Sequence, residues 1–181
     1  MLLPRHPGPV PGCRCLGEEV TRDGVIVRSA HADDLASILC VQHEAFGRVA
    51  RDLGLHSDDL PPLQEEAADL LTLFEQGVEF FVAVDHGRIV GSVRAKHSDA
   101  SVEFGRLVVS ASHLRRGIAT RLMNHAEAAF PQARRFELFT GEDALAPLAL
   151  YSALGYRVTH REELRGVRLV WLAKDGCACG R

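Results

Sequence analysis

The residues best suited to chemistry lie in one stretch near the middle of the chain, where a strand, a polar loop and a helix follow one another. An apolar run ends at Val109, the loop carries Arg115 and Arg116, and Gly117 directly precedes a helical pattern. A helix N-terminus presents unpaired N–H groups and the positive end of the helix dipole, and both attract anions. Because glycine has no Cβ, an anion can approach the main chain closely there. This order of parts predicts a binding site for a phosphorylated ligand.

The surrounding sequence predicts a mixed α/β fold that holds this stretch in place. Runs typical of strands and of amphipathic helices follow one another in the order β-α-α-β-β-β-α-β-α-β-β. The predicted helices are 32–46, 61–76, 117–130 and 145–154, and the predicted strands are 24–28, 79–84, 88–96, 102–109, 135–140, 156–161 and 168–173. Turn signals at Asp85-His86-Gly87 and Arg165-Gly166 indicate antiparallel hairpins.

The composition fits a single globular domain with no general attraction for polyanions. The chain has 181 residues, 46% of them hydrophobic, which is enough to fill one core. Its formal net charge is −3, from 21 basic and 24 acidic residues, so we expect no nucleic-acid partner and no membrane association. No apolar run approaches the roughly 18 residues of a membrane span. Because the N-terminus also lacks a secretory-type apolar stretch, the sequence predicts a cytoplasmic protein.

The two ends of the chain differ in composition from the domain between them. Four prolines and three glycines fall within residues 1–23, which we expect to be a disordered tail. The domain then spans 24–175, and residues 176–181 form a second tail.

The cysteines are placed mostly in these tails. They are Cys13, Cys15, Cys40, Cys177 and Cys179. The two C-x-C pairs could together offer four thiolates to zinc, but zinc sites favour a wider spacing within each pair. We therefore expect no metal site and two pairs of exposed thiols. Cys40 lies in a predicted helix, where we expect it to be a small core residue.

The central stretch resembles the cofactor motif of the GNAT superfamily, the acyl-CoA-dependent N-acyltransferases. That motif is Q/R-x-x-G-x-G/A, and this chain has Leu114-Arg115-Arg116-Gly117-Ile118-Ala119 after the strand Leu107-Val108-Val109. Gly117 and Ala119 match, whereas Leu114 replaces the expected Gln or Arg. The resemblance covers about residues 24–175. It implies a central twisted, mixed, mostly antiparallel sheet of about seven strands, flanked by about four helices.

The resemblance also implies how acetyl-CoA would bind. The pantetheine arm would run along the strand, where the N–H of Val109 would face the thioester carbonyl, and the pyrophosphate would lie on main-chain N–H groups of the loop and helix. Those groups do not depend on the side chain of Leu114, and Arg115 and Arg116 would add charge-assisted contacts. The expected cofactor-binding residues are Leu107, Val108, Val109, Leu114, Arg115, Arg116, Gly117, Ile118, Ala119 and Thr120.

A second match lies further along the chain. The run Leu150-Tyr151-Ser152-Ala153-Leu154-Gly155-Tyr156 resembles the family pattern Y-x-x-x-G-F/Y, whose first tyrosine commonly protonates the departing thiolate. The resemblance therefore implies that Tyr151 is the general acid. The alternative is an amphipathic tyrosine that packs its ring in the core and leaves its hydroxyl at the surface.

The expected catalytic base is Glu103, six residues before Val109. Some family members place a glutamate at this strand position, where it deprotonates the amine directly or through water. The equal alternative is a solvent-facing residue paired with a neighbour. His97 and His113 are reserve bases, although His113 fits better as a loop residue near the cofactor phosphates.

The resemblance implies an N-acetyltransferase that moves acetyl from acetyl-CoA to a primary amine of a small molecule or peptide by direct attack. The alternative is a non-catalytic module that binds acyl-CoA. The acceptor would lie near residues 46–62 and 162–166, a region whose acidic residues would suit a cationic amine or would simply be solvated. The last strands offer an edge for a homodimer.

Overall fold

The structure is a computed structural model that describes residues 19–20, 24–56, 58, 60–164 and 166–176. The two C-x-C cysteine pairs and Arg165 of the last predicted turn lie outside the described residues. Of the two predicted tails, only residues 19–20 and 176 are described. Glu19–Val20 forms a two-residue strand, β1, so this part of the predicted tail is ordered by pairing with Ile26 and Val27.

One sheet forms the centre of the molecule. Its strands are β1, β2 (Ile26–Ser29), β3 (Glu79–Asp85), β4 (Arg88–Ser98), β5 (Ser101–Val109), β6 (Arg135–Gly141), β7 (Arg157–Leu164) and β8 (Val167–Asp175). Their spatial order is β1-β2-β3-β4-β5-β6-β8-β7. All neighbours are antiparallel except β5 and β6. The seven predicted strands and the mostly antiparallel sheet are thus confirmed, and β1 is the addition.

The helices are α1 (Leu35–Leu53), α2 (Pro61–Gln64), α3 (Ala67–Glu75), α4 (Ile118–Ala129) and α5 (Leu145–Ala153). The single helix predicted at 61–76 is therefore wrong, because the chain turns extended at Glu65 and begins again at α3. A capping box starts the new helix, in which the Glu66 N–H donates to Asp69 Oδ2 at 2.8 Å. None of these helices is long and apolar enough to cross a membrane, as far as the described residues extend.

The two faces of the sheet bury different helices. On one face, residues such as Phe81 and Phe104 pack with Leu122 and Met123 of α4. On the other, Phe80 and Val82 pack with α1 and α3. This alternation is what a sheet covered on both sides requires. Cys40 is exposed rather than buried, because it lies on the side of α1 turned away from the sheet.

Close contact between α4 and β4 depends on a glycine. A Cβ built on Gly91 would lie 2.9 Å from the carbonyl oxygen of Val108 and 3.2 Å from Leu122 Cδ1. Any larger residue would push α4 or β5 away. Gly91 therefore sets the distance between the sheet and the helix that follows the predicted anion-binding loop.

Near its C-terminal end, α4 is tied to the sheet by a carboxylate. Glu127 accepts a hydrogen bond from the Tyr156 hydroxyl at 2.9 Å and one from Lys174 Nζ at 2.5 Å. Tyr156 is buried, as expected for a packing residue. The contacts hold the C-terminal part of α4 against β8 and the start of β7.

Candidate active site

The central feature of the candidate site is a gap in the sheet between β5 and β6. These parallel strands pair from Ser101 to Phe104 and no further. Beyond that point β5 continues to Val109 in pairing with β4, and β6 continues to Gly141 in pairing with β8. The backbone of 105–109 therefore presents an open strand edge towards the gap, with N–H and C=O groups that can bind an extended ligand.

A β-bulge reshapes β5 at the gap. Gly105 pairs with Arg94 and Val108 pairs with Ser92, so that Arg106 and Leu107 together oppose a single residue of β4. Arg106 adopts a left-handed backbone with φ of 54°. The bulge reverses the alternation of side chains: Phe104 and Val109 both face the α4 side, although strict alternation would separate them. Val108 faces α1 instead.

The loop after β5 is anchored from two sides. Glu44 of α1 accepts a hydrogen bond from the Ala111 N–H at 3.0 Å. His113 Nε2 donates to Asp85 Oδ2 at 2.9 Å, and Arg116 lies 3.6 Å from the same oxygen. The hydrogen bond from His113 holds the pKa of Asp85 below its usual range. These contacts fix the position of the loop, and they occupy both His113 and one edge of Arg116.

The loop leads into a helix N-terminus without a side-chain cap. Gly117 is the N-cap of α4 with φ of 74°, no described side chain caps it, and the first helical bond is donated by the Arg121 N–H to the Gly117 carbonyl at 3.1 Å. A Cβ at Gly117 would meet nothing within 4 Å. The main-chain N–H groups of Ile118, Ala119 and Thr120 precede the first helical hydrogen bond, so they have no acceptor within α4 and can bind an anion.

The predicted cofactor residues lie along the open strand edge and this helix start. Val108 and Val109 are buried and Leu107 is half-buried beside the gap, while Leu114 and Arg115 are exposed on the loop. Arg115 adopts φ of 62°, which helps turn the chain into α4. The sequence motif therefore extends from the end of β5, through the loop, to the start of α4.

Tyr151 lies in α5 with its ring in the core on the α4 face. It belongs to the same apolar cluster as Val109 and Ile118, and its ring centroid is 6.0 Å from that of Tyr156. Burial raises the pKa of Tyr151 to about 12, so the hydroxyl stays protonated at neutral pH. Its hydroxyl makes no hydrogen bond with the described residues.

Glu103 lies on the opposite face of the sheet, in a cavity of about 280 Å³. Its side chain is exposed, and Lys96 is its partner in register on β4. The cavity is lined by Leu73, Val78, Arg94, Lys96, Glu103, Gly105, Arg106 and Phe139. The second expected base, His97, stacks on Phe130 on the α4 face, with ring centroids 6.2 Å apart, so the structure does not bring it into this cavity.

A cluster of partly buried charged side chains lies beside the cavity, next to the bulge. Glu65 Oε1 accepts hydrogen bonds from Arg106 Nη2 at 2.8 Å and Nε at 3.2 Å, and lies 3.1 Å from Arg94 Nη2. Gln42 donates to Glu65 Oε2 at 2.7 Å. Burial of the Glu65 carboxyl raises its pKa, but the hydrogen bonds from Arg106 and Gln42 and the two positive charges outweigh burial and leave the pKa below its usual range.

These charged residues were not predicted as site residues. Arg94 and Arg106 lie within predicted strands and Glu65 lies within the predicted helix 61–76, where no motif distinguishes them from other charged residues. The one local signal was Gly105 inside a strand, which can mark a bulge. The acidic region predicted around 46–62 and 162–166 is exposed where it is described, at Asp52, Asp58, Glu162 and Glu163, and Asp59 lies outside the described residues. It does not line the cavity, whose charged lining is mostly basic.

The described residues contain no group of three or more His, Cys, Asp or Glu side chains that could hold a metal ion.

Comparison with known proteins identifies the family that this sequence matches. The family described as "Acetyltransferase (GNAT) family" matches residues 43–156. No curated protein matches the sequence.

Solved structures share the fold at low sequence identity. The ribosomal-protein-S18-alanine N-acetyltransferase from Escherichia coli aligns with a TM-score of 0.72 at 13% identity, over 87% of this chain and 97% of that one. The PaiA N-acetyltransferase from Thermoplasma acidophilum, solved in complex with coenzyme A, aligns with a TM-score of 0.69 at 16% identity, over 83% and 98%. A ribosomal-protein-alanine N-acetyltransferase from Brucella melitensis aligns with a TM-score of 0.65 at 19% identity, over 82% and 98%.

The Glu65 cluster yields a prediction about stability. Replacing the carboxylate in Glu65→Gln leaves two partly buried arginines without their counter-charge, and we expect a loss of about 2 kcal/mol in the free energy of unfolding at neutral pH. Because the folded-state pKa of Glu65 is lowered, its contribution is present above the ordinary value of 4.5 and is lost as the pH falls through the folded-state pKa. Urea unfolding of both proteins from neutral to acidic pH should therefore show the difference shrink.

Glu142→Gln is the matched control. Glu142 also contacts two arginines, Arg161 at 3.1 Å and Arg168 at 3.0 Å, but both arginines are 61% exposed. We expect this substitution to cost less than about 0.5 kcal/mol. Equal losses in the two variants, or a Glu65 difference that does not change with pH, would contradict the role given to the Glu65 cluster.

Proposed function

The chain belongs to the GNAT family of acetyltransferases, and from this membership we propose that it transfers an acetyl group from acetyl-CoA to a primary amine of a small molecule or peptide. The observation that carries the proposal is the open edge of β5 running directly into the uncapped start of α4. This pairing of features suits a ligand with amides at one end and a pyrophosphate at the other. The transfer would occur by direct attack while both substrates are bound.

The residues around the gap fit acetyl-CoA. Leu107, Val108 and Val109 would pair with the amides of the pantetheine arm, and the N–H groups from Arg115 to Thr120 would hold the pyrophosphate. Arg115 is exposed and can add a charge-assisted contact, whereas Arg116 is partly engaged by Asp85. The coenzyme A complex of the PaiA N-acetyltransferase supports this use of the fold. Acetyl-CoA would supply the activated acetyl group as a thioester.

Each remaining step of the transfer has a candidate group in the chain. Glu103 would accept the proton of the attacking ammonium directly or through water. The Val109 N–H would donate a hydrogen bond to the thioester oxygen as negative charge develops there. Once deprotonation has left a neutral amine, the C–N bond forms, the C–S bond breaks and the Tyr151 hydroxyl would donate its proton to the sulfur. The second proton, released by the acylated nitrogen, would restore the tyrosine. Because burial raises the pKa of Tyr151 to about 12, the hydroxyl is protonated at neutral pH and has a proton to donate.

Binding of acetyl-CoA is the first prediction. Isothermal titration should show saturable binding, and Gly117→Ala should weaken it by roughly tenfold because the new Cβ occupies the space an anion would use. Gly166→Ala is the matched control, since Gly166 has φ of 80° and nothing within 4 Å of a Cβ but lies in the last hairpin. Both variants should lose similar stability, and only Gly117→Ala should lose affinity. Absence of binding at millimolar acetyl-CoA would refute the proposal.

Tyr151→Phe tests the proposed general acid. We expect thiol release to fall about 100-fold or more, with acetyl-CoA affinity nearly unchanged, because the hydroxyl serves only the departing sulfur. Tyr156→Phe is the control: it removes the hydrogen bond to Glu127 and should lower stability without a comparable effect on turnover. Unchanged turnover in Tyr151→Phe would exclude this residue as the acid. Binding of acetyl-CoA without thiol release over a broad panel of amines would instead support a non-catalytic acyl-CoA-binding module.

Glu103→Gln tests the proposed base. Turnover at neutral pH should fall about 100-fold. Raising the pH should restore part of it, because the amine then loses its proton without help. Glu137→Gln is the control, since Glu137 is the partner of Glu103 in register on β6 but is paired with Arg135. A pH profile of Glu103→Gln that matches the parent protein would remove Glu103 from the mechanism.

A further inference from the structure

The cavity beside Glu103 carries more positive charge than its neighbours balance. Its charged lining consists of Arg94, Lys96, Arg106 and Glu103. The single Glu65 carboxylate, through one oxygen, serves both arginines. Lys96 is left with Glu103 as its partner in register. The three cations have two carboxylates near them, Glu65 and Glu103. One positive charge is therefore in excess, and an anionic ligand would balance it.

Arg94 is the residue whose bonding is incomplete. Its Nη2 is engaged by Glu65, but its Nη1 is buried and has no hydrogen-bond partner among the described residues. A buried donor that has lost its water costs free energy until an acceptor reaches it. Burial and the neighbouring charge of Arg106 lower the pKa of Arg94, because both disfavour the charged guanidinium. An anion in the cavity would stabilise the Arg94 cation, and a small rotation of the guanidinium would let that anion accept a hydrogen bond from Nη1.

The remaining walls of the cavity are apolar. Leu73 of α3, Val78 before β3 and Phe139 of β6 lie across from the charged side chains. The volume of about 280 Å³ suits a small organic molecule with a short apolar body. Glu103, the proposed base, lines the same space as Arg94, so one compact ligand can reach both.

We propose that the amine acceptor is a small amino-carboxylate, whose carboxylate is held by Arg94 with help from Lys96 and Arg106 while its amine is directed to Glu103. This inference rests on the proposed acetyl transfer and names the class of its second substrate. The acceptor charge is opposite to the one that the acidic surface residues suggested. A neutral or purely cationic amine would leave the excess positive charge of the cavity without a counter-charge.

The test compares matched acceptors that differ only in the carboxylate. Thiol release from acetyl-CoA is measured with short ω-amino acids such as 4-aminobutyrate and with their primary amides, which keep size and amine position. We expect kcat/KM to be higher for the acids by on the order of tenfold or more, the worth of one charge-assisted hydrogen bond. Arg94→Gln should reduce this ratio to about one while acetyl-CoA affinity is retained. Equal kcat/KM for acid and amide in the parent protein would overturn the proposal, as would activity confined to peptides with an acidic side chain.

Two further variants guard against a loss of folding. Lys96→Gln alters an exposed cation of the same cavity and should lower the acid-to-amide ratio by a smaller factor. Arg134→Gln removes an exposed arginine outside the cavity and should leave the ratio unchanged. If Arg94→Gln does not fold, as judged by circular dichroism, the Lys96 and Arg134 pair decides the matter. An unchanged ratio in Lys96→Gln would then count against the proposal.

A binding measurement separates this inference from the proposed function. Calorimetry with 4-aminobutyrate, on protein saturated with CoA, should show binding that Arg94→Gln or Lys96→Gln weakens and Arg134→Gln does not. Carboxylate binding without transfer to any amine would refute the enzyme proposal but retain the cavity as a carboxylate site. Transfer to amines with no preference for the acids, or no carboxylate binding, would retain the enzyme and refute the inference.

Discussion

The ion pair between Glu65 and Arg106 is the contact on which the shape of the candidate site depends. Arg106 adopts a left-handed backbone inside β5, a conformation that costs free energy unless surrounding contacts favour it. Its two hydrogen bonds to Glu65 supply such contacts. Glu65 is in turn available because the chain leaves helical conformation between α2 and α3, and Gln42 of α1 holds its other oxygen. Three helices are thus connected to the bulge that shifts the pairing register of β5.

A second set of carboxylates acts on the far side of the bulge. Glu44 and Asp85 bind the loop that follows β5. Neither carboxylate caps the start of α4, where the N–H groups of Ile118, Ala119 and Thr120 have no acceptor within the helix. The loop is therefore positioned before any ligand arrives, which lowers the ordering cost of binding.

The predictable part of this structure is the part set by local patterns. Hydrophobic periodicity located seven strands and α4, and the glycine after Arg116 located the helix start. What could not be predicted depends on residues distant in sequence. The break at Glu65 is stabilised by a capping box next to it and by Arg106, 41 positions further along the chain. The role of Arg94 could not be predicted from its own strand, because the cavity that it lines is formed by several segments that are distant in sequence.

The short parallel pairing of β5 with β6 also affects the rigidity of the sheet. It extends only over Ser101–Phe104, so the strands up to β5 and the strands from β6 onward meet along a brief seam. A ligand whose amides pair with the open edge of β5 would extend the short contact between β5 and β6. It would thereby connect the two parts of the sheet more firmly. Occupancy of the gap would then stiffen the whole sheet, and amide protons far from the ligand, on both sides of the seam, would exchange more slowly with solvent.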